Sequence, residues 1–259
     1  MLRELQEIRE QARIMAGKYD LRFYTRYSRE YDCSKEVFFS HPLIQRLRED
    51  VVPFLNDGFG HGIEHCKKVS IDAGTLALIE TRSWLDVKAS KRYTLLAQMA
   101  GLLHDISRHE SDHARKGADF SRIILQYYPL SPEELDDLAF AVSNHEAFRE
   151  VLEPAHQKQG LLSDVLYDAD KFRWGPDNFV TTLWEICSCE EWSLEEIINR
   201  FPRGLSYIQE VQETFRTPTG RLYGPEFIQC GLEMGRFLYR KLKDRNSEGL
   251  QLKTVTGSG

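Results

Sequence analysis

The sequence predicts an all-α chain. Three observations carry this. Apolar residues recur at helical spacing nearly everywhere, no alternating apolar–polar run reads as a strand, and clusters of turn-forming residues cut the chain into segments of helix length. No internal repeat is present.

Residues 2–17 read as one charged helix. Residues 19–40, rich in Tyr, Phe and Arg, give a less regular helical pattern, with Phe23, Tyr24 and Tyr27 as a stripe that docks on the rest. His41-Pro42 opens the next segment, because Pro is acceptable at a first helical position. Leu43, Leu47, Val51 and Leu55 follow at helical spacing until Pro53 interrupts them. The cluster from Asn56 to Gly60 is a turn, and helices are expected over 61–80 and 89–104. Three more are expected over 111–127, 132–144 and 161–173, before a break at Trp174-Gly175-Pro176. Further helices are expected over 178–188, 193–200, 204–214 and 225–244, and the polar stretch from Asn246 to Gly259 as a disordered tail.

The 259 residues suit one large domain with helical additions. A net charge of -6 argues against a face for a nucleic-acid duplex, although a phosphate-sized basic pocket remains compatible with it. No apolar run of about 18 residues suggests a membrane span. The N-terminus is charged from Arg3 and lacks the apolar run of a signal peptide. The five cysteines form an odd, scattered set that reads as reduced thiols of a cytoplasmic protein.

Three places carry chemistry. On the helix from His61, the residues His65, Val69, Ala73 and Leu76 share one face, and His61 lies one turn earlier on the same stripe. Buried imidazoles need a partner, either a metal or a hydrogen bond. The apolar run Leu95 to Leu103 ends abruptly in His104-Asp105. A carboxylate at a helix C-terminus is disfavoured by the macrodipole, and beside an apolar run it is costly; a bound cation removes both objections. Finally, Asp168 and Asp170 both flank the apolar face of one short helix, so periodicity does not choose between them. Mixed imidazole and carboxylate donors suit divalent metals such as Mn, Fe, Co, Ni or Zn.

Taken in order, His65, His104-Asp105 and Asp170 resemble the H…HD…D signature of the HD-domain superfamily of metal-dependent phosphohydrolases. The flanks agree. The segment Gly60 to Val69 resembles the family's HGxxHxxRV, Leu102 to Arg108 its LLHDIGR, and Asp168 to Lys171 its DADK. The match covers about residues 55–175. It implies an HD-type helical bundle with additional N- and C-terminal helices: an extension over 1–50, a metal-binding core over 51–177, and C-terminal helices over 178–245 packing on that core.

The resemblance also implies a site. His65, His104, Asp105 and Asp170 would be the metal ligands, with Asp170 chosen over Asp168 on the resemblance alone. Asp112 to Ala118 resembles a segment of the branch that holds two metals, and His145 falls where that branch places another ligand. His113 and His145 are therefore candidates for a second ion, although the His-His pair common at the later position is absent. One or two divalent ions per chain are implied, of Mn, Fe, Ni, Co, Mg or Zn. His61 and Asp168 are expected to be catalytic or to orient ligands, and Lys171, Arg108 and Trp174 to contact a small-molecule phosphate substrate. Hydrolysis of a phosphate ester or anhydride, with a nucleotide as the expected substrate, is the leading expectation. The rivals are a di-iron oxygenase on the same scaffold and a non-catalytic regulatory module. The segments outside the match are expected to shape the pocket or a homo-oligomer interface.

Overall fold

The protein is described here by a computed structural model that covers residues 3–55 and 62–256. Among the described residues it is all-α, as the periodicity predicts, with no strand. In chain order the helices are α1 (Arg3–Ala16), α2 (Arg22–Arg26), α3 (Ser28–Ser40), α4 (Pro42–Val51), α5 (Ile63–Thr81), α6 (Val87–Leu103), α7 (His113–Leu125), α8 (Pro132–Ser143), α9 (Gln157–Phe172), α10 (Leu183–Cys189), α11 (Leu194–Val211) and α12 (Pro218–Thr256). A π-helical turn, Asn178–Thr182, leads into α10.

The bundle is built around α5 and α6, which are buried on nearly every side and so lack a polar face. They meet closely at Gly101, where a Cβ would stand 2.6 Å from Ser70 Cα. That approach holds the histidine-bearing ends of the two helices beside each other. α9 packs on α5 and α6, while α7 and α8 complete the layer that carries the other histidines.

The aromatic stripe docks as expected. Phe23 meets Phe172 edge-on, and Phe172 stacks on Phe227 with ring centres 4.2 Å apart. Next to this cluster Arg173 is buried against Asp72, Tyr24 and Asp177, tying α2 and α5 to the turn after α9. The burial of Asp72 pushes its carboxyl up to about 6 despite that guanidinium.

Several boundaries differ from the sequence reading. Residues 19–40 form two helices. The helices expected over 193–200 and 204–214 are one, α11, which runs through Pro202 and Gly204. Its buried residues Ile197, Phe201, Ile208 and Val211 form one continuous stripe, and packing of that stripe overrides the proline's preference to break a helix. α12 likewise starts earlier than expected, with Pro218 at its first position, where the missing N–H is no loss, and it passes through Pro225. The tail expected to be disordered from Asn246 is a continuation of α12 as far as Thr256; its Glu, Leu, Gln and Lys residues are good helix formers. No described helix is long and apolar enough to cross a membrane.

Candidate metal centre

Five structural elements deliver side chains to one point. His65 comes from the first turn of α5, and His104 is the residue that ends α6. Asp105 follows where the chain leaves the helix. His113 opens α7, directed there by Asp112, whose backbone adopts the left-handed conformation (φ 60°) that Asp tolerates better than most residues. His145 lies just after α8, and Asp170 in the last turn of α9.

Asp105 divides the group in two. Its Oδ2 lies 3.2 Å from His104 Nε2 and 3.6 Å from His65 Nε2. Its Oδ1 faces the other way, 3.6 Å from His145 Nε2 and 3.8 Å from His113 Nε2. On the first side, Asp170 Oδ1 lies 3.3 Å from His65 Nε2 and 3.7 Å from His104 Nε2, and the two imidazole nitrogens are 3.1 Å apart. Donors each about 2.0–2.2 Å from one ion stand roughly 3–3.5 Å from one another, which is close to the spacing here. Two triads, His65/His104/Asp170 and Asp105/His113/His145, are thus spaced so that each could hold a metal ion.

The tautomers point the same way. His104 Nδ1 faces the Gly101 carbonyl at 2.8 Å, and His145 Nδ1 the Val142 carbonyl at 2.6 Å. A carbonyl only accepts, so both Nδ1 atoms carry the hydrogen. In the neutral rings Nε2 then presents a lone pair to the centre, the form in which imidazole ligates. His145 Nε2 is buried and makes no hydrogen bond. At His113 the Arg108 guanidinium donates to Nε2 at 2.9 Å, leaving Nδ1–H toward Glu146 Oε1 at 3.4 Å. A cation fits the second triad once this guanidinium swings aside, and the Arg108 side chain is 41% exposed.

The two carboxylates make the centre attractive to positive charge, a proton on His104 in the absence of an ion. Burial acts to lower the His104 pKa, but Asp105 and Asp170 outweigh it and hold it above the ordinary value. Burial acts to raise Asp170, but Lys171 and the two histidines hold it well below the usual carboxylate range. Burial, His145 and Arg108 push His113 down to about 4, so its imidazole stays neutral.

A cavity of about 280 Å³ opens onto the first triad. Its inner end is lined by His65 and Asp170 and its outer walls come mostly from α10, α11 and the π-helical turn.

All six residues expected as ligands, His65, His104, Asp105, Asp170, His113 and His145, are brought together. Asp168 turns away, accepting the backbone N–H groups of Arg216 and Thr217 at 2.8 Å each, just before α12. Burial pushes it up to about 7. Lys171 is buried; it donates to Asp170 and to the His145 carbonyl rather than lining the cavity, so the geometry does not give it the expected place on the substrate phosphate. Arg108 and Trp174 do line the cavity. His61 lies outside the described residues. The sequence reading missed Glu146, which orients His113, and the whole apolar wall from Phe179 to Ile208. Glu146 follows His145 directly, but nothing in the spacing marked it as a partner of His113. In the comparisons with known proteins, no family model, no curated protein and no solved structure matches the chain.

Proposed function

We propose that this chain is a metal-dependent phosphohydrolase of the HD type, acting on a phosphate ester or anhydride. One observation carries the reading: Asp105 stands between two histidine-bearing triads, with the His104 and His145 tautomers set so that lone pairs face inward. His65, His104, Asp105 and Asp170 would hold one divalent ion, and Asp105, His113 and His145 a second. Such ions supply a strong nucleophile from water near neutral pH and screen charge on phosphoryl oxygens.

The chain's own residues do the rest. Arg108, at the cavity wall beside Asp105, binds and orients the phosphate. Lys171 keeps Asp170 ionised, and Glu146 holds the His113 ring in place. The apolar wall excludes water from around the phosphate, which strengthens each of these charge interactions.

Metal analysis of the purified protein, followed by phosphate release from a panel of esters in added Mn, Mg, Ni and Co, tests this. Absence of bound metal together with absence of turnover would overturn it and favour a regulatory module. The same four histidines also suit a di-iron oxygenase; iron content, an absorption spectrum and oxygen uptake separate that reading from hydrolysis.

A further inference from the structure

We propose that the substrate is an amphiphilic phosphate, whose phosphate end sits at the metal centre and whose body is an aliphatic chain running into the cavity between α10 and α11. The proposal rests on the phosphohydrolase reading for its phosphate end and on the cavity for its chain. The cavity begins at His65, Asp170 and Arg108 and continues between Phe179, Leu183, Ile186, Ile197, Leu205 and Ile208. Apolar side chains outnumber polar ones along its walls. Arg173 is buried and committed to Asp72, Tyr24 and Asp177. Arg200 lies over the Trp192 ring, 4.6 Å from its centre. Among the described residues, Asn178 and Thr182 are the only neutral amide and aliphatic hydroxyl in the lining. A nucleoside brings ribose hydroxyls and a base edge that lose water on entry and need replacement partners, whereas an alkyl chain gains from the same walls.

Two further features agree. Gly204 lines the cavity in the middle of α11, where glycine costs a helix about 1 kcal/mol relative to alanine. A Cβ there would meet nothing within 4 Å, so packing against a neighbour does not require the glycine. It leaves the cavity wall open instead. Tyr207, which also lines the cavity, is exposed and lies between Trp174 and Phe148, tilted against both rings, with ring centres 5.3 and 4.7 Å away. Phe148 is exposed as well and holds a left-handed backbone (φ 60°), a conformation disfavoured for a bulky residue. An exposed aromatic rim leading to an apolar interior suits a ligand that is apolar along its length.

The test uses two ladders on the metal-loaded protein: n-alkyl phosphates of four to about ten carbons for turnover, and the matching non-hydrolysable n-alkylphosphonates for calorimetric binding. A nucleoside monophosphate and its phosphonate analogue are run beside them. Both kcat/KM and affinity are expected to rise about fourfold per added methylene until the cavity is filled, and then to level off. Leu205→Asp is expected to flatten both ladders. Gly204→Trp, at a position with open space, is expected to shorten the rising part. A flat ladder with esters still turned over overturns the proposal and leaves the phosphohydrolase reading standing, as does a nucleoside monophosphate preferred over every alkyl phosphate. A rising phosphonate ladder with no ester turned over supports the cavity's occupant and overturns the phosphohydrolase reading. Neither binding nor turnover overturns both.

Discussion

Glu133, Asp137 and His156 lie as near one another as either triad at Asp105 does. The two regions differ in what their nitrogen atoms do. His156 caps α9, its Nδ1 accepting the Gln159 backbone N–H at 3.2 Å. An amide N–H only donates, so in the neutral ring Nε2 carries the hydrogen. That atom faces Asp137 Oδ1 at 3.2 Å and Glu133 Oε1 at 3.4 Å, and no lone pair is left for an ion. Asp137 also accepts from the Gln159 side chain, and Glu133 is 70% exposed. At the Asp105 centre the order is reversed, with carbonyls taking the Nδ1 hydrogens of His104 and His145 so that Nε2 faces inward. Residue types and distances are similar; the polarity of the backbone partner, a carbonyl at His104 and His145 and an N–H at His156, separates a group that could hold an ion from a helix cap.

The contrast is broken most severely at Asp105. Asp105→Ala removes the carboxylate whose two oxygens face the two groups of histidines and is expected to take bound metal and phosphate release to background, with helical circular dichroism unchanged. Metal analysis reads it directly, and an unaltered metal content would sink the assignment of Asp105 as a ligand. His145→Ala touches one triad and is expected to halve the bound metal of a two-ion centre. An unchanged stoichiometry would make His145 a buried histidine with no ligand role. Against both stands His156→Ala, which is expected to leave metal content as it was.

Much of this was legible in the sequence, and the limits have physical causes. The apolar helix ending in His104-Asp105 marked the centre, because a carboxylate there lacks a reason without a cation. The choice between Asp168 and Asp170 was not legible from periodicity, since both flank the apolar face. The fold separates them through the backbone N–H groups of Arg216 and Thr217, nearly fifty residues away in sequence, which engage Asp168. Lys171 could be seen as a cation near the centre, but not that it faces inward. The cavity walls were invisible because α10 and α11 show only ordinary amphipathic patterns; that their apolar faces leave a gap is a property of packing. The His156 cap was not legible either: histidine is not among the residues that favour an N-cap, and α9 begins at Gln157, four residues before the expected start at 161.

A third measurement sharpens the comparison through pH. His113 sits at about 4 in the folded chain, against about 6.5 for an unperturbed imidazole. The unfolded state therefore binds more protons between these values, and the metal-free protein should lose stability as pH falls from about 6.5 toward 4. The full shift corresponds to roughly 3 kcal/mol; partial contact with solvent reduces the expected loss to about 1–2 kcal/mol. His113→Gln is expected to remove this contribution. Urea midpoints of the chelated proteins at pH 7 and pH 5 check it, and parallel behaviour of the two proteins would contradict the assignment.

The smallest effect is expected at the other cluster. His156→Ala deletes the acceptor for the Gln159 N–H and should cost about 1 kcal/mol, the usual loss for an N-cap. In a chain of this length that corresponds to a fall of about 2–4 °C in Tm. His156→Asn, whose side-chain oxygen can accept the same N–H, should recover most of it. Metal content should be unchanged in both. This pair of variants is the control for the whole comparison: if His156→Ala lost metal while His156→Asn kept it, the cap would matter to the distant centre through α9 and Asp170. If both lost metal, His156 would itself be ligating, and the tautomer argument would fail at the residue where it is simplest to test.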